Sequence, residues 1–199
     1  SIAEHKDLHN RLVIVNGVSK GYAMTGWRIG YMVGPEWIVA ACEKMQGQFT
    51  SGANSIAMKA AKVAIESGSE PIASMLDEFK KRRDYLIEAL SVEPRLKMNI
   101  PGGAFYLFID ISAFFGTSSG NTIISEAEDL IMYLLDKAHV SMVEGGAFGA
   151  PNCLRISYAA SMEQLKEAVA RLTKALSELK EKMTQTEISD LFEQFNSKK

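Results

Sequence analysis

The sequence has little cysteine and no long apolar run. Only Cys42 and Cys153 occur among its 199 residues, and they lie far apart in apolar surroundings. This pattern does not build a disulfide framework and is typical of reduced thiols. No segment has the roughly 18 consecutive apolar residues of a membrane-spanning helix, and the first residues are polar, so we expect no membrane segment and no signal peptide. We therefore predict a cytoplasmic protein.

An excess of charge of one sign is also missing, because 22 Lys and Arg residues stand against 24 Asp and Glu residues. Such a balance does not favour a nucleic acid or an anionic membrane surface, and we predict neither as a partner. The three histidines, His5, His9 and His139, lack the spacing to cysteines or carboxylates that metal ligands show, so we predict no metal site. Hydrophobic residues make up 47% of the chain, which is enough for a large core.

The most informative part of the sequence is a pair of apolar segments with a glycine-rich turn between them. The segments Leu12–Val15 and Trp27–Val33 are typical of strands. The turn holds Ser19 and Lys20, and Arg28 lies at the start of the second segment. Two strands joined in this way place an amine and a guanidinium in one cleft.

An amine and a guanidinium together suit a phosphorylated carbonyl compound. An amine condenses with an aldehyde only when it is unprotonated, which favours a lysine that is buried and has a second cation beside it. Arg28 would be that cation, and its planar fork also suits a phosphate. Spacing alone leaves a second interpretation open, in which Lys20 is solvated and Arg28 belongs to a surface ion pair.

The residues around this turn resemble a known family. The segments Asn16–Lys20 and Gly26–Tyr31 resemble the cofactor-lysine region of class I/II aminotransferases, which are fold-type I pyridoxal-phosphate enzymes, and the match is nearest to the aspartate aminotransferase branch. The resemblance continues through Pro101–Phe108 and Asn152–Ala159. It implies a homodimeric enzyme that transfers an amino group between an α-amino acid, aspartate or a similar one, and a 2-oxo acid.

The resemblance also gives roles to five side chains. Lys20 would be the catalytic residue and would bind the cofactor pyridoxal 5′-phosphate covalently. Arg28 would bind the cofactor phosphate, as would Ser19, for which capping the turn is the alternative. Arg155 would pair with the substrate α-carboxylate; its strand alone permits an arginine on an exposed face equally well. Phe105 would line the substrate pocket, or would be a core residue of its strand.

Other interpretations remain open because these residues are shared by a whole fold type. One keeps the fold and changes the reaction to that of a β-lyase or a racemase. Another is an aminotransferase-like sensor domain of a transcription regulator. The chain begins just upstream of the lysine turn and has no initiator methionine. We therefore expect the carboxy-terminal half of an enzyme, without the aspartate and the aromatic residue that contact the cofactor ring, and inactive by itself.

The hydrophobic patterning predicts an α/β chain of two domains. With the resemblance, we expect residues 1–68 to be edge strands and helices of the large pyridoxal-phosphate-dependent transferase domain, residues 69–183 to be the small α+β domain, and residues 184–199 to be a tail or short helix. Helices are predicted at Glu36–Phe49, at Ser55–Glu66, at Ser69–Leu90, from a cap at Asn121 or Ser125 to about His139, and from a capping box at Ser161 to about Met183. Further strands are predicted at Leu96–Ile100, Ala104–Ile111, Val140–Val143 and Cys153–Tyr158.

Overall fold

The structure is a computed structural model that describes residues 1–181. The predicted tail at 184–199 lies outside the described residues. The described chain is a mixed α/β protein, as expected, and it divides into two compact units between Leu76 and Asp77. That boundary lies within a helix that spans Ala73–Leu90. The assignment of residues 1–68 and 69–183 to two domains stays a prediction.

The first unit is an antiparallel hairpin followed by two helices. Two short 3₁₀ helices, Ile2–Glu4 and Lys6–Leu8, lead into the hairpin, in which strand β1 spans Ile14–Gly17 and strand β2 spans Gly30–Val33. Gly17 lies opposite Gly30 at the end of the ladder, so the glycine-rich turn closes the hairpin. Both predicted strands are confirmed, although each begins later than the apolar pattern indicated.

The two helices of the first unit have the bounds that the sequence predicts. Helix α1 spans Glu36–Phe49 and α2 spans Ser55–Glu66. The α2 helix begins at Asn54, whose side-chain oxygen accepts hydrogen bonds from the N–H groups of Ile56 and Ala57 at 2.9 and 3.0 Å. The small core of this unit consists of Val18, Ile29, Ala57 and Ala61, with Tyr22 and Met24 packed against it.

The second unit holds most of the secondary structure. Its helices are α3 at Ala73–Leu90, α4 at Ala127–Ala138 and α5 at Met162–Ser177. Its strands are β3 at Lys97–Met98, β4 at Tyr106–Asp110, β5 at Thr117–Ser119, β6 at Thr122–Ile123, β7 at Val143–Glu144, β8 at Cys153–Ser157 and β9 at Lys180–Glu181. An antiparallel sheet in the order β3-β4-β8-β7 carries the main core on one face. The alternating burial along β4 and β8 produces this arrangement, since Leu107, Ile109, Leu154 and Ile156 are buried.

A second sheet, in the order β6-β5-β9, was not predicted from the sequence. Helix α5 ends at Ser177 because the residues that follow form β9, which pairs with β5. The predicted helix end near Met183 is therefore wrong. The predicted cap of α4 at Asn121 or Ser125 is also wrong. The helix begins after Glu126, where the Asp129 carboxylate accepts hydrogen bonds from the main-chain N–H groups of Ser125 and Glu126. The capping box that begins α5 at Ser161 is confirmed.

None of the helices within residues 1–181 combines the length and the apolar composition that crossing a membrane requires.

Candidate active site

The loop that closes the β1–β2 hairpin carries Ser19 and Lys20. It is anchored by Val18, which is fully buried and whose N–H donates to the carbonyl of Ile29 across the hairpin at 3.4 Å. The N–H of Tyr22 then donates to the Val18 carbonyl at 3.2 Å, which turns the chain. Ser19 is half-buried and Lys20 is exposed. The described residues do not bury Lys20, and the burial that the sequence argument favours stays a prediction.

Arg28 ends the same loop in an uncommon backbone conformation. It follows a 3₁₀ turn at Thr25–Trp27 and has φ 55° and ψ 46°, the left-handed region that arginine rarely adopts. Its Nη1 donates a hydrogen bond of 2.8 Å to the carbonyl of Thr25, and the residue is exposed. Strain of this kind costs about 1–3 kcal/mol and is typical of functional positions. The hairpin loop therefore presents an amine and a guanidinium together.

Arg155 lies in the second unit, on the face of the sheet that does not carry the core. It pairs with Phe108 on β4 and with Val143 on β7, so these three side chains share that face. The guanidinium carbon of Arg155 is 4.3 Å from the centroid of the Tyr106 ring and 4.5 Å from that of Phe148. Two aromatic rings therefore hold a half-buried guanidinium.

A tight loop places Phe148 at this position. The loop is a 3₁₀ turn over Gly146–Phe148 that ends at Gly149, with φ 78°. The N–H of Gly145 donates to the carbonyl of Cys153 at 2.7 Å, and the N–H of Phe148 donates to the Gly145 carbonyl at 2.8 Å. A side chain at Gly145 would put its Cβ 2.8 Å from the Cys153 oxygen, so only glycine fits there. These hydrogen bonds fix the main chain of Phe148, while its side chain is 52% exposed.

The guanidinium of Arg155 has no acidic partner in the described part of the chain. The ion pairs within residues 1–181 involve other groups, and no side-chain or main-chain oxygen there accepts a hydrogen bond from Arg155. Arg95 provides the contrast. Its guanidinium carbon lies 4.3 Å from the centroid of the Phe114 ring, but its Nη2 also lies 2.7 Å from Oε2 of Glu93. Three guanidinium groups of this unit lie over rings, those of Arg82, Arg95 and Arg155, and of these three only Arg95 has a carboxylate partner within the described residues.

Phe105 lies beside this face and supports the core. It is half-buried, and its ring centroid is 6.0 Å from that of Phe79 on α3 and 4.4 Å from that of Tyr106. The packing role that the sequence left open for Phe105 is therefore present. A contact with substrate stays a prediction.

Cys153, on the same strand as Arg155, is not suited to be a nucleophile. Burial raises the pKa of its thiol, and the nearby Asp110 carboxylate adds to this effect. The pKa of Asp110 is itself lowered by hydrogen bonding to Ser112, whose N–H donates at 2.8 Å. These groups stabilise the strand end, and we assign them no chemical role.

Sequence reasoning missed Tyr106 and Phe148. The signal for Phe148 was present, because an aromatic residue between glycines, as in Gly145-Gly146-Ala147-Phe148-Gly149, is unusual in a loop. Tyr106 gave no such signal, since an aromatic residue is ordinary in a strand.

Comparison with known proteins identifies the family. The model for aminotransferase class I and II matches residues 1–172. The chain belongs to this family. It is 48% identical over 184 residues to a bifunctional aspartate aminotransferase and glutamate/aspartate-prephenate aminotransferase of Petunia hybrida, covering 90% of this chain and 38% of that protein. It is 43% identical over 180 residues to an aspartate aminotransferase of Pinus pinaster, covering 88% of this chain and 37% of the relative.

Solved structures agree with this assignment. The aspartate aminotransferase of Rhizobium meliloti superposes with a TM-score of 0.83 at 40% identity, over 87% of this chain and 44% of that one. An aromatic aminotransferase of Pyrococcus horikoshii superposes with a TM-score of 0.78 at 32% identity, over 89% of this chain and 46% of that one. The predicted fold class is confirmed. The chain spans less than half the length of these relatives.

The donors of the hairpin loop fit the cofactor that the family implies. Pyridoxal 5′-phosphate carries an aldehyde and a phosphate. Lys20 offers the amine that an aldehyde requires, and Arg28 and Ser19 offer a guanidinium and a hydroxyl to a phosphate. The strained backbone of Arg28 supports a constrained role for this side chain.

Proposed function

We propose that this protein is a pyridoxal 5′-phosphate-dependent aminotransferase that moves an amino group between an α-amino acid, aspartate or a similar one, and a 2-oxo acid. The observation that supports this most strongly is Arg155, whose guanidinium is stacked between two rings and has no acidic partner within residues 1–181. A cation left without a counter-ion in this way suits an anionic ligand. With the family assignment, the chain then supplies a group for each part of the reaction.

Lys20 and its loop would hold the cofactor. When bound, pyridoxal 5′-phosphate supplies an electron-withdrawing ring that stabilises negative charge on the substrate α-carbon. Lys20 would anchor it covalently. With its amine freed by the substrate amino group, Lys20 would take the proton from the substrate α-carbon as a general base and deliver it, as an acid, to the cofactor carbon that carried the aldehyde. Arg28 and Ser19 would bind the phosphate, so that the amine and the reacting carbon keep a fixed separation.

Arg155 would orient the substrate. A guanidinium binds a carboxylate through two parallel N–H···O bonds, which fix both the position and the plane of the α-carboxylate. Phe105 would line the pocket beside it. The substrate class is therefore α-amino acids and their 2-oxo acids, because both carry a carboxylate next to the reacting carbon.

The assembly and location belong to the same proposal. Large apolar side chains of the first unit are exposed, among them Trp37, Phe49 and Ile56 at 71%, 78% and 73%, and this supports a homodimer in which such surfaces are covered. Both cysteines are free thiols, which supports a reducing, cytoplasmic location.

The test of the reaction uses a chimera in which this chain replaces the matching segment of the Rhizobium meliloti aspartate aminotransferase; we call it the Rhizobium chimera. With aspartate and 2-oxoglutarate it should produce glutamate and oxaloacetate. The Lys20→Ala variant, prepared in the same way, should not. A folded chimera that eliminates or racemises the amino acid instead would assign the chain to a β-lyase or a racemase.

The test of cofactor attachment uses the same chimera. Borohydride reduction followed by peptide mapping should find the pyridoxyl group on Lys20 and on no other lysine. Lys20→Arg is the matched control, since it keeps the charge and removes the primary amine. A label on a different lysine would overturn the assignment of Lys20.

A further inference from the structure

We propose that Tyr106 and Phe148 form an aromatic clamp that holds the guanidinium of Arg155 in the orientation that a carboxylate requires, and that Phe148 is a positioning residue for substrate binding. This inference rests on the proposed role of Arg155. It goes beyond that role because it assigns a function to Phe148, whose exposed side chain contributes little to the core.

The geometry of the two rings carries the inference. Both ring centroids lie within about 6 Å of the guanidinium carbon, the range in which a cation is attracted to the face of a ring; the distances are 4.3 Å for Tyr106 and 4.5 Å for Phe148. A long arginine side chain has many rotamers, and contacts with two rings remove most of them. The rings carry no charge, so they orient Arg155 without neutralising it.

The support beneath Phe148 is rigid. Its ring makes an edge contact with Phe108, at 6.2 Å between centroids and an interplanar angle of 86°. Its main chain is fixed by the hydrogen bonds of Gly145 and by the left-handed Gly149. Folding alone does not explain so fixed a loop around a ring that is 52% exposed. Orientation of the neighbouring cation does explain it.

Two other arginines of the second unit also lie over rings, Arg82 at 5.5 Å from the Phe79 centroid and Arg95 at 4.3 Å from the Phe114 centroid, and Arg95 is the one whose donors are used by the fold. Its guanidinium also stacks on a ring, but it binds the Glu93 carboxylate and the carbonyls of Leu176 and Leu179. Arg155 shares the stacking and lacks all of these acceptors among the described residues. Its donors are therefore free for a planar anion of the carboxylate class.

The clamp can be tested without any catalysis. In the 199-residue chain labelled with nitrogen-15, the Nε–H proton of Arg155 should resonate upfield of those of exposed arginines, because it lies over ring faces. Phe148→Leu should remove part of this shift. Phe115→Leu, the same exchange at a half-buried ring of this unit, should leave it unchanged. If the Nε–H proton of Arg155 has the chemical shift of an exposed arginine, or if Phe148→Leu does not change that shift, the proposed clamp is wrong.

The effect on substrate is measured in the Rhizobium chimera. Phe148→Leu should raise KM for both aspartate and 2-oxoglutarate by about 3- to 30-fold, the range expected for loss of one partly exposed cation–π contact, and should leave kcat within about twofold. Phe148→Tyr, which keeps a ring, should restore KM. Cofactor retention should be the same in all variants, which separates a positioning role from general damage.

The outcomes distinguish this inference from the proposed function. If Phe148→Leu leaves KM unchanged while Arg155→Lys raises it, Arg155 binds the carboxylate without help and the positioning role is wrong. If Arg155→Lys also leaves KM unchanged, the carboxylate role of Arg155 fails and the positioning role fails with it. An equal rise of KM in Phe115→Leu would likewise overturn the inference, because the effect would then come from packing.

Discussion

Arg28 donates a hydrogen bond of 2.8 Å from Nη1 to the main-chain oxygen of Thr25, three residues before it. The guanidinium has five N–H donors in one plane, so this bond fixes the side chain to its own loop and leaves the other donors for a ligand. The left-handed backbone conformation of Arg28 allows its side chain to turn back toward the Thr25 carbonyl. One arginine thus stabilises the loop and is available to bind a phosphate.

Arg28→Lys should therefore weaken cofactor binding in the Rhizobium chimera by about 10- to 100-fold. A lysine is a point charge and cannot bind Thr25 and two phosphate oxygens at once, so about two charge-assisted hydrogen bonds are lost. The measurement is the dissociation constant of pyridoxal 5′-phosphate. Arg155→Lys is the paired control and should change KM for the amino acid while cofactor affinity stays the same. The reverse pattern would exchange the two roles.

The 199-residue chain assayed alone should not transaminate, even with excess cofactor. Lys20 is exposed in the described structure, so the described residues leave its amine open to water and do not enclose a cofactor beside it. The assay measures glutamate formed from aspartate and 2-oxoglutarate, with the Rhizobium chimera as the positive control. Turnover like that of the chimera, in a preparation shown by mass to contain no longer chain, would contradict this expectation.

Gly145→Ala should destabilise the second unit by about 2–3 kcal/mol, because the new Cβ would lie 2.8 Å from the Cys153 oxygen and the backbone has to move. Gly146→Ala is the matched control. The added Cβ would meet the Glu144 carboxylate, at 3.5 Å from Oε1. We expect this substitution to lower the free energy of unfolding by less than about 0.5 kcal/mol. Urea unfolding gives both values. Equal effects of the two substitutions would mean that the loop is not fixed as described.

The pair of Glu93 and Arg95 should make stability depend on pH. Hydrogen bonding to Arg95 lowers the pKa of Glu93 below its usual value. A lowered pKa in the folded state adds stability above the unfolded pKa of about 4.3, and this stability is lost as the pH falls through the folded pKa. The difference in unfolding free energy between wild type and Glu93→Gln should be constant from pH 7 to about pH 5 and should shrink below that.

A companion substitution separates the charge from the carbonyl contacts. Arg95→Met should cost about 2–4 kcal/mol at pH 7, because it leaves the Glu93 carboxylate without its partner and removes the hydrogen bonds that Arg95 donates to the carbonyls of Leu176 and Leu179. A difference between wild type and Glu93→Gln that is as large at pH 3 as at pH 7 would show that Glu93 acts through packing alone.

Local signals predicted the bounds of α1 and α2 correctly, and those of α4 and α5 only in part. The bounds of α1 and α2 follow from Pro35, Asn54 and apolar residues at helical spacing, all of which lie within or next to the helix they define. The small sheet was missed because Ser118 pairs with Lys180, and strands of two or three residues show no periodicity. Pairing between residues so far apart is a property of the fold and not of either segment.

The features of the candidate site also fall into those that a local segment predicts and those that depend on distant segments. Lys20 and Arg28 were found because motif and chemistry lie in one short segment. The exposure of Lys20 depends on residues beyond its own loop, so spacing did not reveal it. The stacking of Tyr106 and Phe148 on Arg155 joins three segments through the β4–β8 register and a loop. No single segment of the sequence contains that arrangement.

Strand pairing determines when the segments that carry Lys20 and Arg155 each form during translation. The backbone pairing of the hairpin that carries Lys20 joins residues close in sequence and needs the chain only as far as Val33, whereas the packing of Val18 and Ile29 also needs Ala57 and Ala61 of α2. The strand that carries Arg155 lies in the middle of its sheet and pairs with β4, which is made much earlier. Until Ser157 has emerged, the edge of β4 that pairs with β8 is without its partner strand. Arg155, for which we propose a carboxylate ligand, therefore reaches its position on the strand that completes the sheet.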